Sequence, residues 1–131
     1  MWTYRARLNK VIDADTADLT IDLGFHLTLT QRVRLAGIDA PEMSTPGGRL
    51  AKQWATNWLL DHSDGDWPLT ITTRKGPTHD RYGRFIADIH AGAHHLNRAL
   101  LEAGHAQPWP KPLSPETNSV GNAPSPPVEG T

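Results

Sequence analysis

Acidic and guanidinium side chains gather in three short runs of this sequence. Val11-Ile12-Asp13-Ala14-Asp15-Thr16 places two carboxylates one residue apart, and Arg34-Leu35-Ala36-Gly37-Ile38-Asp39-Ala40-Pro41-Glu42 carries an arginine and two further carboxylates. Asp80-Arg81-Tyr82-Gly83-Arg84 sets a tyrosine between two arginines. Carboxylates are hard oxygen donors, suited to Ca²⁺ rather than to zinc. Guanidinium groups are planar and permanently charged, and they meet phosphate oxygens bidentately. Taken singly, each run also has an ordinary structural reading: an Asx-type turn, the stop of a strand and a bulge.

The elements around these runs can be read from apolar periodicity. Tyr4, Ala6, Leu8 and Ile12 suit a first strand, with a bulge expected at Asn9-Lys10. Leu19, Ile21 and Leu23 alternate with Asp18, Thr20 and Asp22, the period of a half-buried strand. Gly24-Phe25 offers a turn into a third strand, where Leu27, Leu29, Val33 and Leu35 alternate with Thr28, Thr30, Arg32 and Arg34. The Asp13–Thr16 run thus falls on the turn between the first two strands, and Arg34–Glu42 falls where the third runs out.

From Arg49 to Leu60 the period changes to that of a helix. Leu50, Ala51, Trp54, Ala55, Trp58 and Leu59 share one expected inward face, with both tryptophans in the core. Leu69–Arg74 and Phe85–Ile89 read as two more strands, with Phe85, Ala87 and Ile89 on one side. Leu96–Ala103 reads as a short helix ended by Gly104, with Leu96, Leu100 and Leu101 inward. The fold class expected is mainly β with flanking helices (α+β), a five-stranded barrel of the OB type, which often binds nucleic acids.

Composition bounds what such a domain can do. The 131 residues suit one domain, and 37 % hydrophobic residues allow a modest core. No apolar run reaches the roughly 20 residues of a membrane span. The absence of cysteine excludes disulfides, thiolate metal sites and cysteine nucleophiles. The N-terminus shows no signal-peptide pattern, so a cytoplasmic location is expected. The formal charge of −1 leaves no basic footprint over the whole surface, so attraction for a polyanion must come from local arginines or a bound cation. Seven of the eleven prolines follow Gln107, and residues 113–131 are otherwise mostly Ser, Thr, Asn, Gly and Glu. The expected organisation is a domain over residues 1–112 and a disordered Pro-rich tail over 113–131.

In order and content the runs resemble the staphylococcal (thermo)nuclease family from about Tyr4 to Trp109. The matching residues are the D-x-D-T turn (Asp13–Thr16), R-L-x-G-I-D-A-P-E (Arg34–Glu42), D-R-Y-G-R (Asp80–Arg84) and L-N-R-A-L-L-E-A-G (Leu96–Gly104). The resemblance implies a calcium-dependent endonuclease that hydrolyses DNA and RNA with little sequence preference. It implies cutting at the 5′-oxygen to leave 3′-phosphate ends. By the same resemblance Asp15, Asp39 and the Ala40 carbonyl hold the metal, with Asp13 beside them and one step removed from the ion. Glu42 positions or deprotonates the attacking water, and Arg34 and Arg84 hold the scissile phosphate. Arg81 and Tyr82 touch the nucleotide, and Trp109 either stacks on a base or caps the core. The implied partners are DNA or RNA as substrate, with no membrane and a monomeric chain.

Elementary electrostatics agrees with these roles. Asp13, Asp15, Asp39 and Glu42 brought together repel one another, and a divalent cation relieves that repulsion. An arginine pKa above about 12 makes both guanidiniums electrostatic stabilisers rather than proton donors. The loop Met43–Gly48 lacks the lysine-rich insert of the best-known members, which predicts weak binding with a shallow salt dependence. His94-His95 with His90 reads as surface polarity, because adjacent strand residues face opposite ways. Asp61, Asp64 and Asp66 read as solvated charge. The other function considered is a catalytically inactive barrel that binds nucleic acid or protein. The joint presence of Asp15, Arg34, Asp39, Glu42 and Arg84 argues against it.

Overall fold

The computed structural model describes residues 2–74 and 84–110. The expected tail, the 112/113 boundary, Arg81 and Tyr82 lie outside the described residues. Three long strands open the chain: β1 (Thr3–Asp13), β2 (Thr16–Gly24) and β3 (Leu27–Leu35). After the two-residue β4 (Ile38–Asp39) come helix α1 (Pro46–Asp61), β5 (Leu69–Thr73) and β6 (Phe85–Ala91). The two-residue β7 (His94–His95), helix α2 (Leu96–Glu102) and β8 (Gln107–Pro108) complete the described fold. β1 pairs antiparallel with β2 and β5, β2 with β3, and β5 with β6, and a parallel β3–β6 pairing closes a five-stranded barrel. The register of β1 on β2 shifts between Leu8 and Lys10, where the bulge was expected. Among the described residues no helix is long and apolar enough to cross a membrane.

The barrel interior is filled by alternate residues of each strand. Leu19, Val33, Leu35, Leu69 and Ile89 are fully buried, with Ala6, Ala17 and Ala87 between them. α1 closes one side with Ala51, Ala55 and Leu59, which recur every four residues and so share one face. Leu50 lies one residue off that face and is exposed, against the sequence expectation. Trp54 and Trp58 are half-buried flanks rather than core, resting on His105 and His62. α1 also begins three residues earlier than its apolar pattern predicts. The Thr45 hydroxyl accepts a hydrogen bond from the Gly48 N–H (3.1 Å), and Pro46 supplies a φ already suited to a helix start.

The hairpin of β2 and β3 is longer than the barrel wall. β1 pairs with β2 only as far as Ile21, and β6 meets β3 only over Val33–Leu35. The outer part therefore projects, and Leu23, Leu27 and Leu29 are exposed although their alternation predicts an inward face. Phe85 is likewise partly exposed at the start of β6.

Asp88 is the reverse case, a strand residue expected outside yet nearly buried. It accepts from Arg74 Nε and Nη2 (2.7 and 2.8 Å) and is bonded to His95 Nε2 (2.9 Å). His95 is thus a half-buried partner of Asp88 rather than loose surface polarity, and it stacks on His90. Burial alone would raise the Asp88 pKa, but Arg74 and His95 hold it below the ordinary carboxylate range. Burial, then the His95 charge, pushes His90 below 6.5. Both groups are depressed, so both contributions to stability are present above the unfolded pKa values and are lost on acidification. Thermal melts are expected to fall from about pH 6.5 downward through His90 and again below about pH 4 through Asp88. Asp88→Asn should lower the melting temperature at pH 7 and flatten the second fall. An acid limb identical to that of the wild type would refute this assignment.

Candidate active site

Four backbone features bring the acidic and basic runs together. At the β1–β2 turn the Asp13 carboxylate accepts from the Asp15 N–H (3.1 Å), which ties the turn and aims Asp15 inward. The antiparallel register sets Arg34 of β3 directly across from Thr16, next to Asp15. Beyond Leu35 the chain reverses at Ala36-Gly37, where Gly37 has φ +75°, a left-handed conformation that favours glycine. The reversal feeds β4, which carries Asp39 back to Arg34, and the Ala40 N–H then donates to Asp15 Oδ2 (2.8 Å).

Arg34 stands between the two aspartates. Its Nη1 lies 3.4 Å from Asp15 Oδ2 and donates to the Leu35 carbonyl at 2.9 Å, and its Nη2 donates to Asp39 Oδ1 at 3.2 Å. Arg84 Nη1 donates to Thr16 Oγ1 (3.3 Å), and the same hydroxyl donates to Asp15 Oδ1 (3.2 Å). Asp13, Asp15, Arg34, Asp39, Ala40, Glu42 and Arg84 all line one cleft of about 300 Å³, with Pro41 and Met43 at its edge. The two arginines therefore face the acidic residues.

The charges in this cleft are not balanced. Four carboxylates meet two guanidiniums. Burial, then the hydrogen bond and charge of Asp15, pushes Asp13 up to about 6. Asp15 moves the other way: burial would raise it, but the hydrogen bonds from Asp13 and the Ala40 N–H, then Arg34 and Thr16, outweigh that and hold it low. This is a deep, ionised carboxylate beside a half-exposed one at Asp39.

Trp109 reaches the site by a route the sequence does not display. β8 pairs with β4, Asp39 opposite Gln107 and Ile38 opposite Pro108, and the Trp109 N–H donates to the Gly37 carbonyl (2.9 Å). The ring is half exposed and lines an adjoining cleft of about 560 Å³ together with Arg34, Asp39 and Arg84. It does not cap the core.

Two contributors were not singled out by sequence. Thr16 links Asp15 to Arg84, and its only signal was its place at the end of the D-x-D-T turn. Gly48 has none. It is buried in the first turn of α1, and a Cβ there would overlap the Glu42 carbonyl and stand 2.8 Å from that of Pro41. The helix start is thus a surface on which the Pro41-Glu42 backbone rests. Gly48→Ala should destabilise the fold by about 1–3 kcal/mol, as overpacking does, and displace Glu42. An unchanged melting point would refute the contact.

The closed barrel, its two helices and this cleft define an OB-type α+β domain with a carboxylate–guanidinium site at one rim. A family model described as staphylococcal nuclease homologue matches residues 32–119, and the chain belongs to that family. It is also 27 % identical over 106 residues to an uncharacterised protein of Bacillus anthracis, covering 79 % of this chain and 46 % of that protein. An uncharacterised 38.1 kDa protein of Capnoides sempervirens is 29 % identical over 116 residues, covering 78 % of this chain and 32 % of that protein. The chain therefore spans less than half the length of these curated relatives.

Proposed function

We propose that this chain is a Ca²⁺-dependent endonuclease that hydrolyses phosphodiester bonds of DNA or RNA with little sequence preference, leaving 3′-phosphate ends. The observation that carries the reading is the single guanidinium of Arg34 held against both Asp15 and Asp39 in a cleft that Arg84 and Glu42 also line. Family membership supports it.

The donor set fits calcium. It is all oxygen, it carries an excess of negative charge, and it includes the half-exposed Asp39 carboxylate, which Arg34 engages through Oδ1. Among the described residues no three acidic or histidine side chains stand close enough to cage an ion alone. Asp15 and Asp39 would hold the ion with the Ala40 carbonyl, leaving other positions to water and substrate. Bound there, Ca²⁺ would offset the carboxylate repulsion and polarise a phosphoryl oxygen.

The chain's own groups do the rest. Glu42 orients the attacking water or takes its proton. Arg34 and Arg84 meet the phosphate oxygens as negative charge grows on them, and neither gives up a proton. The leaving 5′-alkoxide takes its proton from solvent. Trp109, beside the arginines, offers a face for a base, and Arg81 and Tyr82 contact the nucleotide. The test is digestion of single-stranded DNA with Ca²⁺ and then with chelator, followed by analysis of the new ends. Retained binding without cleavage in Ca²⁺ would instead favour an inactive binding module. Because few counterions are released, log Kd against log salt should be shallow, and a steep slope would contradict the site described.

A further inference from the structure

The tip of the projecting hairpin carries an unexplained cost. Phe25 is 96 % exposed, and both turn residues have left-handed backbone, φ +53° at Phe25 and +61° at His26. Such turns ordinarily use Asn or Gly, and a bulky residue there is strained. Phe25 is therefore unfavourable in two ways, as an apolar surface in water and as a backbone conformation. Strain of this kind that persists marks a candidate contact site.

The surroundings suit a particular ligand. Arg5, Asp22, Gly24, Phe25, His26, Thr28 and Trp67 line a cleft of about 420 Å³, ample for a nucleotide. The Trp67 ring lies under Arg7 (4.7 Å from guanidinium carbon to ring centre) and beside Arg5 (5.9 Å). The cleft thus sets the Phe25 and Trp67 rings beside the Arg5 guanidinium, with Arg7 stacked on Trp67 at its edge, and rings and guanidiniums together bind single strands by stacking. It also shares a face of the hairpin with the rim of the active site. From the rim at Thr16 and Arg34, the outward face of the hairpin runs through the pairs Asp18–Arg32, Thr20–Thr30 and Asp22–Thr28. The charges on this path are mostly paired, Arg32 with Asp18 and Arg5 with Asp22.

We propose that the cleft between Trp67 and the Phe25-His26 turn is a second contact for single-stranded nucleic acid, holding bases by stacking at the far end of the hairpin from the active site. The proposal rests on the nuclease reading. β2 at about 3.4 Å per residue separates the two sites by roughly 27 Å. At about 3.4 Å per stacked nucleotide that is roughly eight nucleotides, within the span of OB-type sites. A trinucleotide reaches only one site, whereas a 20-mer reaches both.

Glycine relieves the turn while removing the ring, so Phe25→Gly separates contact from folding. Fluorescence anisotropy with labelled dT3 and dT20 in chelator reads the result. Phe25→Gly and Phe25→Asn should weaken dT20 by about ten-fold, the loss of one or two stacked bases, with a melting temperature equal to or above that of wild type. Phe25→Trp should restore it. The effect on dT3 should stay within two-fold, whereas Arg34→Ala should weaken dT3. An unchanged dT20 affinity in Phe25→Gly, or equal losses for dT3 and dT20, overturns the second contact and leaves the tip as a protein-facing surface. Digestion of dT20 by the wild type in Ca²⁺ tests the nuclease reading separately: without cleavage that reading falls, whereas cleavage with no effect of Phe25→Gly on binding overturns only the second contact.

Discussion

Arg34→Ala should lower kcat by about 10²–10³ and should also lower the melting temperature. The rate term follows from removing one preorganised donor to the phosphate. The stability term follows from the position of the side chain: Asp15 is nearly buried, and Arg34 stands 3.4 Å from it. Removing one partner of a buried pair costs about 3–5 kcal/mol, and the Ala40 and Thr16 hydrogen bonds that remain on Asp15 put the expectation near the lower end. For a domain of this size that is a fall of more than about 10 °C. Ca²⁺ should recover part of it, because the ion replaces the lost positive charge. Arg34→Lys should keep some stability and little rate, since an ammonium is a point charge that cannot fork between Asp15, Asp39 and a phosphate. Cleavage by Arg34→Ala within three-fold of wild type would sink the proposed role.

Calcium should stabilise the wild-type protein as well as activate it. A ligand at one hundred times its Kd adds about 2.7 kcal/mol to the stability of a protein that binds it only when folded. In a small domain that corresponds to a rise of about 10 °C. Asp15→Asn should abolish both the rise and the cleavage while leaving the fold intact. The amide oxygen can still accept from the Ala40 N–H, and the Thr16 hydroxyl can turn to accept from the amide nitrogen. Asp39→Asn should act similarly with a smaller effect on stability, because Asp39 is half exposed. Calorimetric scans with Ca²⁺, with Mg²⁺ and with chelator read the shift directly. A wild-type melting point indifferent to Ca²⁺ at millimolar concentration, or an Asp15→Asn protein that still responds, would refute the metal assignment.

Asp13, Asp15, Arg34, Asp39, Glu42 and Arg84, which line one cleft, were picked out in the sequence by the order of three short runs and their resemblance to one family, since each run alone also has an ordinary structural reading. The β1–β2 turn is made by its own Asp13 carboxylate, so two residues of spacing suffice to define it. The barrel was legible for a similar reason: period-two alternation is a property of each strand by itself. Where the alternation misled, the cause lay elsewhere in the chain. Leu27 and Leu29 carry an inward pattern, but β1 and β6 are not present beside them to form an inside. Leu50 belongs to an apolar helix yet misses the face that α1 turns to the barrel.

Asn97 shows the same division most sharply. It belongs to the L-N-R-A-L-L run by which the family is recognised, yet nothing local gives it a task. In the fold it is buried, donating to the Ala36 and Ala87 carbonyls (2.9 and 3.3 Å) and accepting from the Ile89 N–H (3.0 Å). It thereby ties α2 to β6 and to the turn that delivers Asp39. Gly48 under Glu42 and Trp109 beside Asp39 are of the same kind.

By itself the sequence determined which carboxylates and guanidiniums this protein carries in its three short runs, and which short segments become strand, turn or helix, since dihedral preference and side-chain period act over a few residues. Only the tertiary structure decided that Arg34 bridges Asp15 and Asp39, that Arg84 meets Asp15 through Thr16, and that Trp109 arrives beside them. Those are distances between segments far apart in the chain. They are set by strand register and by how closely two backbones can approach, and no local pattern encodes either.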